Sequence, residues 1–279
     1  MPDDEDIALS EKRMFGQRRT ETVSYVAAEQ GVATVRSSGD QIGRLSLDHG
    51  CRARDVAAVD GRVAVAAEQG VLLGPDPFES VGFGGAVAVG FADGAVVAAN
   101  ADGRVARHDD GEWATVGTVA DARAIDGSFV AAAGGVFRID GGRLAHAGLE
   151  DVRDVAAGET PLAATGDGLY RLGAGWMRER DGVFTTVASD GDRAHAATDS
   201  ALYERARSST DDGDADAWRE TDLPVDEHVV DVGYGQCVYA VTGDGTFLVD
   251  ADPETTPDGA GGWRSRSIGL PGVSALAVV

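Results

Sequence analysis

The chain has 279 residues, a formal net charge of −23 at pH 7 and a sequence pI of about 4.4. It contains one lysine, Lys12, and no apolar run approaching the roughly 20 residues of a membrane-spanning helix. The acidic excess argues against a nucleic-acid partner, which requires a basic face. We therefore expect neither a membrane span nor nucleic-acid binding.

The first 19 residues stand outside the pattern that fills the rest of the chain. We predict that residues 1–19 form a mobile or docked segment and that residues 20–279 form a single domain. Four basic residues of this segment could pair with nearby carboxylates or serve as a docking arm for a partner: Lys12, Arg13, Arg18 and Arg19. No apolar run of the kind that a secretory signal needs follows the charged start, so we expect a cytoplasmic protein.

A repeat runs through the remaining residues. The hexapeptide AAEQGV occurs at Ala27–Val32 and again 39 residues later at Ala66–Val71. Five degenerate copies follow, at 98–105, 131–136, 163–169, 196–202 and 240–247. Spacings of roughly 31 to 44 residues are typical of one β-propeller blade with four short strands. The sequence therefore predicts seven blades.

Within each copy, short Val/Ala strands alternate with Asp-Gly turns, as at Asp60-Gly61 and Asp93-Gly94. Asp-Gly readily forms the tight hairpin turns that need positive φ. The strands are apolar on both faces, which fits sheets covered on both sides by neighbouring blades. All four tryptophans, at 113, 176, 218 and 263, fall at or near the start of the proposed fourth strand. We expect their rings to fill the wide outer gaps between blades.

The ends of the repeat predict how the ring closes. The first copy has no leading strand, while a spare strand, VSALAVV at Val273–Val279, follows the last copy. We predict that this C-terminal strand is the innermost strand of the first blade. The fold class is then all-β, a seven-bladed β-propeller of four-stranded antiparallel blades in which no sheet edge is left open at the junction.

Metal sites receive little support from the sequence. The five histidines fall in different slots of the repeat, so they are not expected to converge on one ion. Asp212, Asp214 and Asp216 have calcium-loop spacing, but Ala217 and Leu223 stand where that loop needs Gly and Glu. The longest insertions, Ser208–Ala217 and Ala251–Gly262, are predicted between third and fourth strands. We predict no metal and no cofactor, and free thiols at Cys51 and Cys237.

One polar position recurs near the start of the inner strands. It is occupied by Asp55, Asp121, Asp154 and Asp231, with Arg54 and Arg153 beside two of them. These residues could form an acidic ring at one mouth of the central channel, holding a cation or a partner's basic side chain. The alternative is that the carboxylates bond backbone N–H groups and arginines between adjacent blades.

The stretch LYERARSSTDDGDADAWRETDLP at 202–224 resembles the Asp-box, or BNR, repeat. Ser209, Asp211 and Gly213 match its turn, whereas Trp218 comes about two residues late relative to that motif. GLYRLGAGW at 168–176 and VARHDDGEW at 105–113 resemble shortened versions, and the chain is also similar to WD40- and YVTN-type propellers. As a whole it resembles β-propeller proteins of halophilic archaea. The resemblance implies a propeller fold, whose Asp box is structural, and growth in molar salt.

Two classes of function remain open. The first is a non-catalytic protein-interaction or assembly scaffold, because no catalytic set converges and a rigid ring presents varied loops. The second is a hydrolase- or lyase-type enzyme that uses the carboxylates at the channel mouth. We assign no catalytic residue, expect a protein partner and expect a monomer.

Overall fold

A computed structural model describes residues 21–191, 193–205, 218–251 and 262–279. In these residues every regular element is a β-strand, and 28 strands form seven four-stranded antiparallel sheets. The predicted seven-bladed propeller is confirmed. The basic cluster at 12–19, the aspartates at 212–216 and most of the two insertions lie outside the described residues. Within the described part, no helix is long and apolar enough to cross a membrane.

In each blade the four strands run in order from the central channel to the outer rim. The strands are β28 (Ala275–Val278), β1 (Thr22–Ala28), β2 (Gly31–Ser38) and β3 (Gln41–Gly50) in blade one; β4 (Ala53–Val59), β5 (Arg62–Ala67), β6 (Gly70–Gly74) and β7 (Glu79–Ser80) in blade two; β8 (Ala86–Ala92), β9 (Ala95–Asn100), β10 (Arg104–Asp109) and β11 (Glu112–Thr118) in blade three; and β12 (Ala122–Asp126), β13 (Phe129–Ala132), β14 (Gly135–Asp140) and β15 (Arg143–Gly148) in blade four.

Blades five to seven repeat this plan. Their strands are β16 (Val152–Ala156), β17 (Leu162–Thr165), β18 (Gly168–Leu172) and β19 (Trp176–Asp181) in blade five; β20 (Thr186–Ser189), β21 (Ala194–Ala197), β22 (Leu202–Arg205) and β23 (Trp218–Thr221) in blade six; and β24 (Val229–Tyr234), β25 (Val238–Thr242), β26 (Thr246–Ala251) and β27 (Gly262–Ser267) in blade seven.

In blades two and three an Asp-Gly turn connects the innermost strand to the second strand. Asp60 and Gly61, between β4 and β5, have φ values of 49° and 77°, and Asp93 and Gly94 have 47° and 76°. Positive φ at both central residues gives the turn a twist that matches the right-handed twist of the strands. The dipeptide therefore sets the hairpin register, and with it which side chains face each neighbouring blade.

The hydrophobic core is divided among the blade junctions. Seven buried clusters occur, and each combines side chains of two adjacent blades. In β1, Val26 and Ala28 face blade seven, whereas Tyr25 and Ala27 face blade two. Because both faces of the sheet are covered, successive residues are all apolar, as the sequence pattern predicted.

The tryptophans lie on the outer strands, as predicted. Each is the first or second residue of β11, β19, β23 or β27. Trp113 donates its indole N–H to the carbonyl of Val81 at 2.8 Å, and Trp176 donates to the carbonyl of Ala147 at 2.9 Å. In both cases the acceptor belongs to the outer part of the preceding blade, so these side chains join neighbouring blades at the rim.

The C-terminal strand closes the ring as predicted. β28 pairs with β1 through Ala275–Val278, and the N–H of Val279 donates to the carbonyl of Val23 at 2.9 Å. Val273 and Leu276 are buried in the junction between blades seven and one. Val279 lies beyond the end of β28, and its side chain is 48% exposed.

Candidate functional site: the central channel

The channel wall is built from the seven innermost strands. Five of them carry a β-bulge close to their first residue, where they pair with the second strand of the blade. The residue immediately after the register shift is Asp55 in blade two, Asp154 in blade five and Asp231 in blade seven. It is alanine in blades three and four. Three carboxylates therefore occupy the same position in the innermost strands of three blades.

Each of these carboxylates connects two blades. One oxygen accepts the N–H of the next residue in its own strand, from Val56, Val155 and Val232 at 2.7–2.8 Å. The other accepts an N–H from the innermost strand of the following blade, from Val89, Val187 and Leu276 at 2.7–2.8 Å. The Thr186 hydroxyl also donates to Asp154, at 2.6 Å. The bonds join blades two and three, five and six, and seven and one.

Asp121 does not lie at the position that Asp55, Asp154 and Asp231 share, so the prediction that it belongs with them is wrong. It precedes β12 with φ of 54°, and its side chain is 61% exposed. Blade four has Ala124 at the equivalent position. Asp121 instead pairs with Arg123 at 2.9 Å. The side chain is displaced because the residue lies in the connection between blades, three positions too early.

Charged residues form a rim around the end of the channel where the inner strands begin. Arg123 donates to Asp151 at 2.7 Å and to the carbonyl of Val152 at 3.3 Å. Arg153 lies 3.8 Å from Asp151, and Arg54 is exposed. The predicted set therefore divides in two, with Asp55, Asp154 and Asp231 inside the channel and Arg54, Asp121 and Arg153 on the rim.

Sequence reasoning missed a fourth carboxylate of the channel, Asp126. It ends β12, and it accepts the N–H of Ala157 from blade five at 2.7 Å. In the sequence it belongs to an ordinary Asp-Gly pair. Nothing distinguishes it from the other Asp-Gly turns, because its role depends on how closely blade five approaches.

The channel encloses a cavity of about 300 Å³ with a strongly acidic wall. Asp55, Asp126, Asp154 and Asp231 line it, and no Arg, Lys or His of the described residues does. Burial raises the pKa of Asp55 to about 7 and that of Asp154 to about 6. Burial, followed by the nearby charge of Asp154, raises the pKa of Asp231 well above its usual range. The backbone N–H bonds oppose this effect, since they favour the ionised carboxylate.

At the wall of the channel, a polar network joins blades six and seven. Tyr234 donates its hydroxyl to the carbonyl of Ala188 at 3.0 Å, and the same oxygen lies 3.0 Å from Nδ1 of His195. His195 is 1% exposed, and burial lowers its pKa to about 4. It therefore remains neutral at pH 7. Among the described residues, no three His, Cys, Asp or Glu side chains are placed to share a metal ion.

Two further cavities open on the surface. One of about 210 Å³ lies between blades six and seven and includes Asp222, Asp226 and Glu227 in its wall. The other, of about 310 Å³, lies in blades two and three beside Arg62 and Arg107. Neither contains a residue of the predicted site.

Comparison with protein families decides where this propeller belongs. Residues 8–279 match the family model described as "Beta-prop_HVO_0234:-like, beta propeller". The chain belongs to this HVO_0234-like family. The match covers every blade, so the carboxylates of the channel lie within the family's own domain. A comparison with curated protein sequences finds no significant match.

Solved structures similar to this HVO_0234-like propeller support the fold alone. The WD40 β-propeller domain of Doa1 is 14% identical, with a TM-score of 0.62 over 90% of this chain and 89% of that one. The computationally designed Ika8 protein is 16% identical, with a TM-score of 0.58 over 91% and 86%. Apo AztD from Citrobacter koseri is 10% identical, with a TM-score of 0.55 over 93% and 98%.

Proposed function

We propose that this propeller is a non-catalytic scaffold that binds a protein partner at the rim of its channel. The observation that carries the proposal is the bonding of the three ring carboxylates. Each of Asp55, Asp154 and Asp231 already accepts two backbone N–H groups, one of them from the next blade. Carboxylates engaged in this way hold the ring together, which favours a stabilising role over a chemical one.

The rim supplies the binding surface in this proposal. Arg54 is exposed and makes no hydrogen bond or ion pair with a described residue. Arg153 is 33% exposed and lies 3.8 Å from Asp151. Arginines are enriched at the energetic centres of protein interfaces. A partner with acidic side chains would meet these two arginines, a local complementarity that favours specificity.

The test is affinity capture from the native host in molar KCl with the full-length protein. The rim variant carries Arg54→Glu and Arg153→Glu. The control carries Arg143→Glu and Arg219→Glu, the same total change of charge at exposed positions on the outer strands of blades four and six. We expect wild type and control to retain a defined partner that the rim variant loses. Equal retention by all three would remove the rim as the binding surface.

The channel carboxylates favour a second candidate, a hydrolase- or lyase-type enzyme. The pKa of about 6 for Asp154 and of about 7 for Asp55 would suit general acid–base chemistry near neutral pH. A panel of chromogenic esters, glycosides and phosphoesters tests this candidate with wild type, Asp55→Asn and Asp154→Asn. Turnover that both substitutions abolish, in variants that remain folded, would replace the scaffold with an enzyme.

We infer a cytoplasmic location and adaptation to molar salt as part of the same proposal. Cys51 and Cys237 are free thiols, and burial raises the pKa of both. Unpaired thiols are typical of a reducing compartment. The net charge of −23 is tolerated best where salt screens self-repulsion. Immunolocalisation in the native host would test the compartment.

A further inference from the structure

The outer strand of blade one differs from the other outer strands. β3 has ten residues, the most of any strand described, and eight of them are exposed. Leu45 and Leu47 are 37% and 52% exposed. β3 pairs with β2 on one side and with no described strand on the other. Proteins usually protect a long exposed edge, because its unpaired backbone groups can recruit another strand.

The sequence of this edge is complementary to itself. It reads Arg44-Leu45-Ser46-Leu47-Asp48. If two copies pair antiparallel about Ser46, Leu45 of each lies opposite Leu47 of the other, while Arg44 of each faces Asp48 of the other at the register shifts that flank this stretch. Directly opposite residues in an antiparallel pair approach to about 4.5–5.5 Å. Every contact then occurs twice, as in any isologous interface.

The two charges have no countercharge among the residues that the structure describes. Arg44 forms no hydrogen bond or ion pair with a described residue. Asp48 accepts hydrogen bonds from the hydroxyls of Ser46, at 2.7 Å, and Thr34, but pairs with no described cation. By contrast, Arg178 on the outer strand of blade five pairs internally with Asp167 and Asp181. Because neither charge of β3 has an ionic partner among the described residues, a second copy could supply one.

We propose that two copies of this chain associate through β3, joining their first blades into one eight-stranded sheet. This proposal is independent of the rim function, and it differs from the monomer that we expected from the sequence. Register shifts opposite Val32–Ala33 and Val35–Ser37 confine the regular part of β3 to the middle of the strand. The interface is therefore short and the dimer is concentration-dependent.

Salt governs the association. Each copy has a net charge of −23, so two copies repel in dilute buffer. At molar salt the Debye length is about 3 Å, which screens that repulsion between whole molecules. Contacts between the leucines do not weaken in this way, and excluded salts strengthen them. The dimer is favoured in molar KCl.

Sedimentation velocity of the full-length protein in molar KCl, over a wide concentration range, is the first test. We expect a monomer–dimer equilibrium in wild type and a monomer for Leu47→Lys. Met177→Lys is the matched control, since Met177 is 41% exposed on the outer strand of blade five; it should behave like wild type. A wild type that stays monomeric at every concentration overturns the proposal, as does a dimer that Leu47→Lys leaves intact.

A charge exchange tests the register. Arg44→Asp alone and Asp48→Arg alone place like charges near each other, so each should dimerise more weakly than wild type. An equimolar mixture restores both opposite-charge pairs and should form heterodimers. If Asp48→Arg melts well below wild type, Ser46→Cys replaces it: a cysteine on the two-fold axis should form an intermolecular disulfide under mild oxidation, whereas Met177→Cys and wild type should not. Absence of that crosslink rejects pairing about Ser46.

Discussion

At the scale of single residues, two opposing effects act on the pKa of the channel carboxylates. Burial raises the pKa of Asp55 and Asp154, whereas their backbone N–H bonds favour ionisation. The same side chains connect neighbouring blades through those bonds. Stability should therefore respond both to removal of the carboxylate and to its state of protonation.

Removing one ring carboxylate tests its contribution to the junction between blades. In Asp154→Ala the N–H groups of Val155 and Val187 and the Thr186 hydroxyl lose their acceptor. We expect a loss of about 1–3 kcal/mol in the free energy of unfolding, the range for buried donors left unpaired. Chemical denaturation measures it, with Glu112→Ala on an exposed outer strand as the control. A more stable Asp154→Ala would show that desolvation outweighs the hydrogen bonds.

The raised pKa values predict how stability depends on pH. Between about pH 4 and pH 7, folded Asp55 and Asp154 hold protons that the unfolded chain has released. Their contribution is complete below about pH 4 and is lost as the pH rises through about 6–7. We expect the melting temperature at constant molar KCl to fall from pH 5 to pH 8, and to fall less in the Asp55→Ala/Asp154→Ala variant. A flat wild-type profile would mean that both groups stay ionised.

The residue scale also shows what the sequence could and could not reveal about the site. Asp55, Asp154 and Asp231 were predictable because the dipeptide Asp-Val recurs at one point of the repeat. Asp121 was misplaced because a neighbouring alanine-rich stretch permits a slip of three residues. Asp126 was invisible, since its partner Ala157 belongs to another blade and only the approach of the two blades brings them together.

At the scale of secondary-structure elements, most strands follow from the sequence and the exceptions lie at edges. Asp-Gly turns and short Val/Ala runs indicated hairpins, and the tryptophans marked the outer strands. The length and exposure of β3 were not predicted, because an outer strand has no partner to constrain its pattern. The two-residue β7 was equally unpredictable, since few hydrogen bonds define it.

Deleting β28 tests how the ring is held closed. A chain truncated after Gly272 loses the pairing with β1, the buried side chains of Val273 and Leu276, and the acceptor–donor pair of Asp231 and Leu276. We expect insoluble protein or a state without a cooperative melting transition. The control lacks only Val279, whose side chain is 48% exposed, and should melt close to wild type. A cooperative transition at the wild-type temperature after the larger deletion would contradict closure by β28.

At the scale of the whole molecule, the fold was predictable because the repeat period and the spare terminal strand each specify the ring. The net charge also affects the stability of the folded ring, through repulsion among charges that are not in contact. A surplus of 23 negative charges repels itself across the molecule. The folded ring places four of the carboxyl groups in a channel that no cation of the described residues lines, where burial raises their pKa.

We therefore expect the melting temperature to drop by more than about 10 °C between molar KCl and dilute buffer, because screening of the self-repulsion is lost. Differential scanning calorimetry across a KCl series measures the effect. Sucrose in place of KCl serves as the control, since it favours the compact state without screening charge. An equal recovery of stability in sucrose would show that charge repulsion is not the cause.

The arrangement of blade one has a consequence for biosynthesis. Its second, third and fourth strands are made first and its innermost strand is made last. During synthesis, blades two to seven can therefore be completed while blade one still lacks its innermost strand, which is available only after residue 278 has left the ribosomal exit tunnel. Until then, the cluster between blades seven and one, which includes Val26 and Tyr239, is incomplete because Leu276 of β28 is missing from it. The ring therefore cannot close until β28 has been synthesised and can pair with β1.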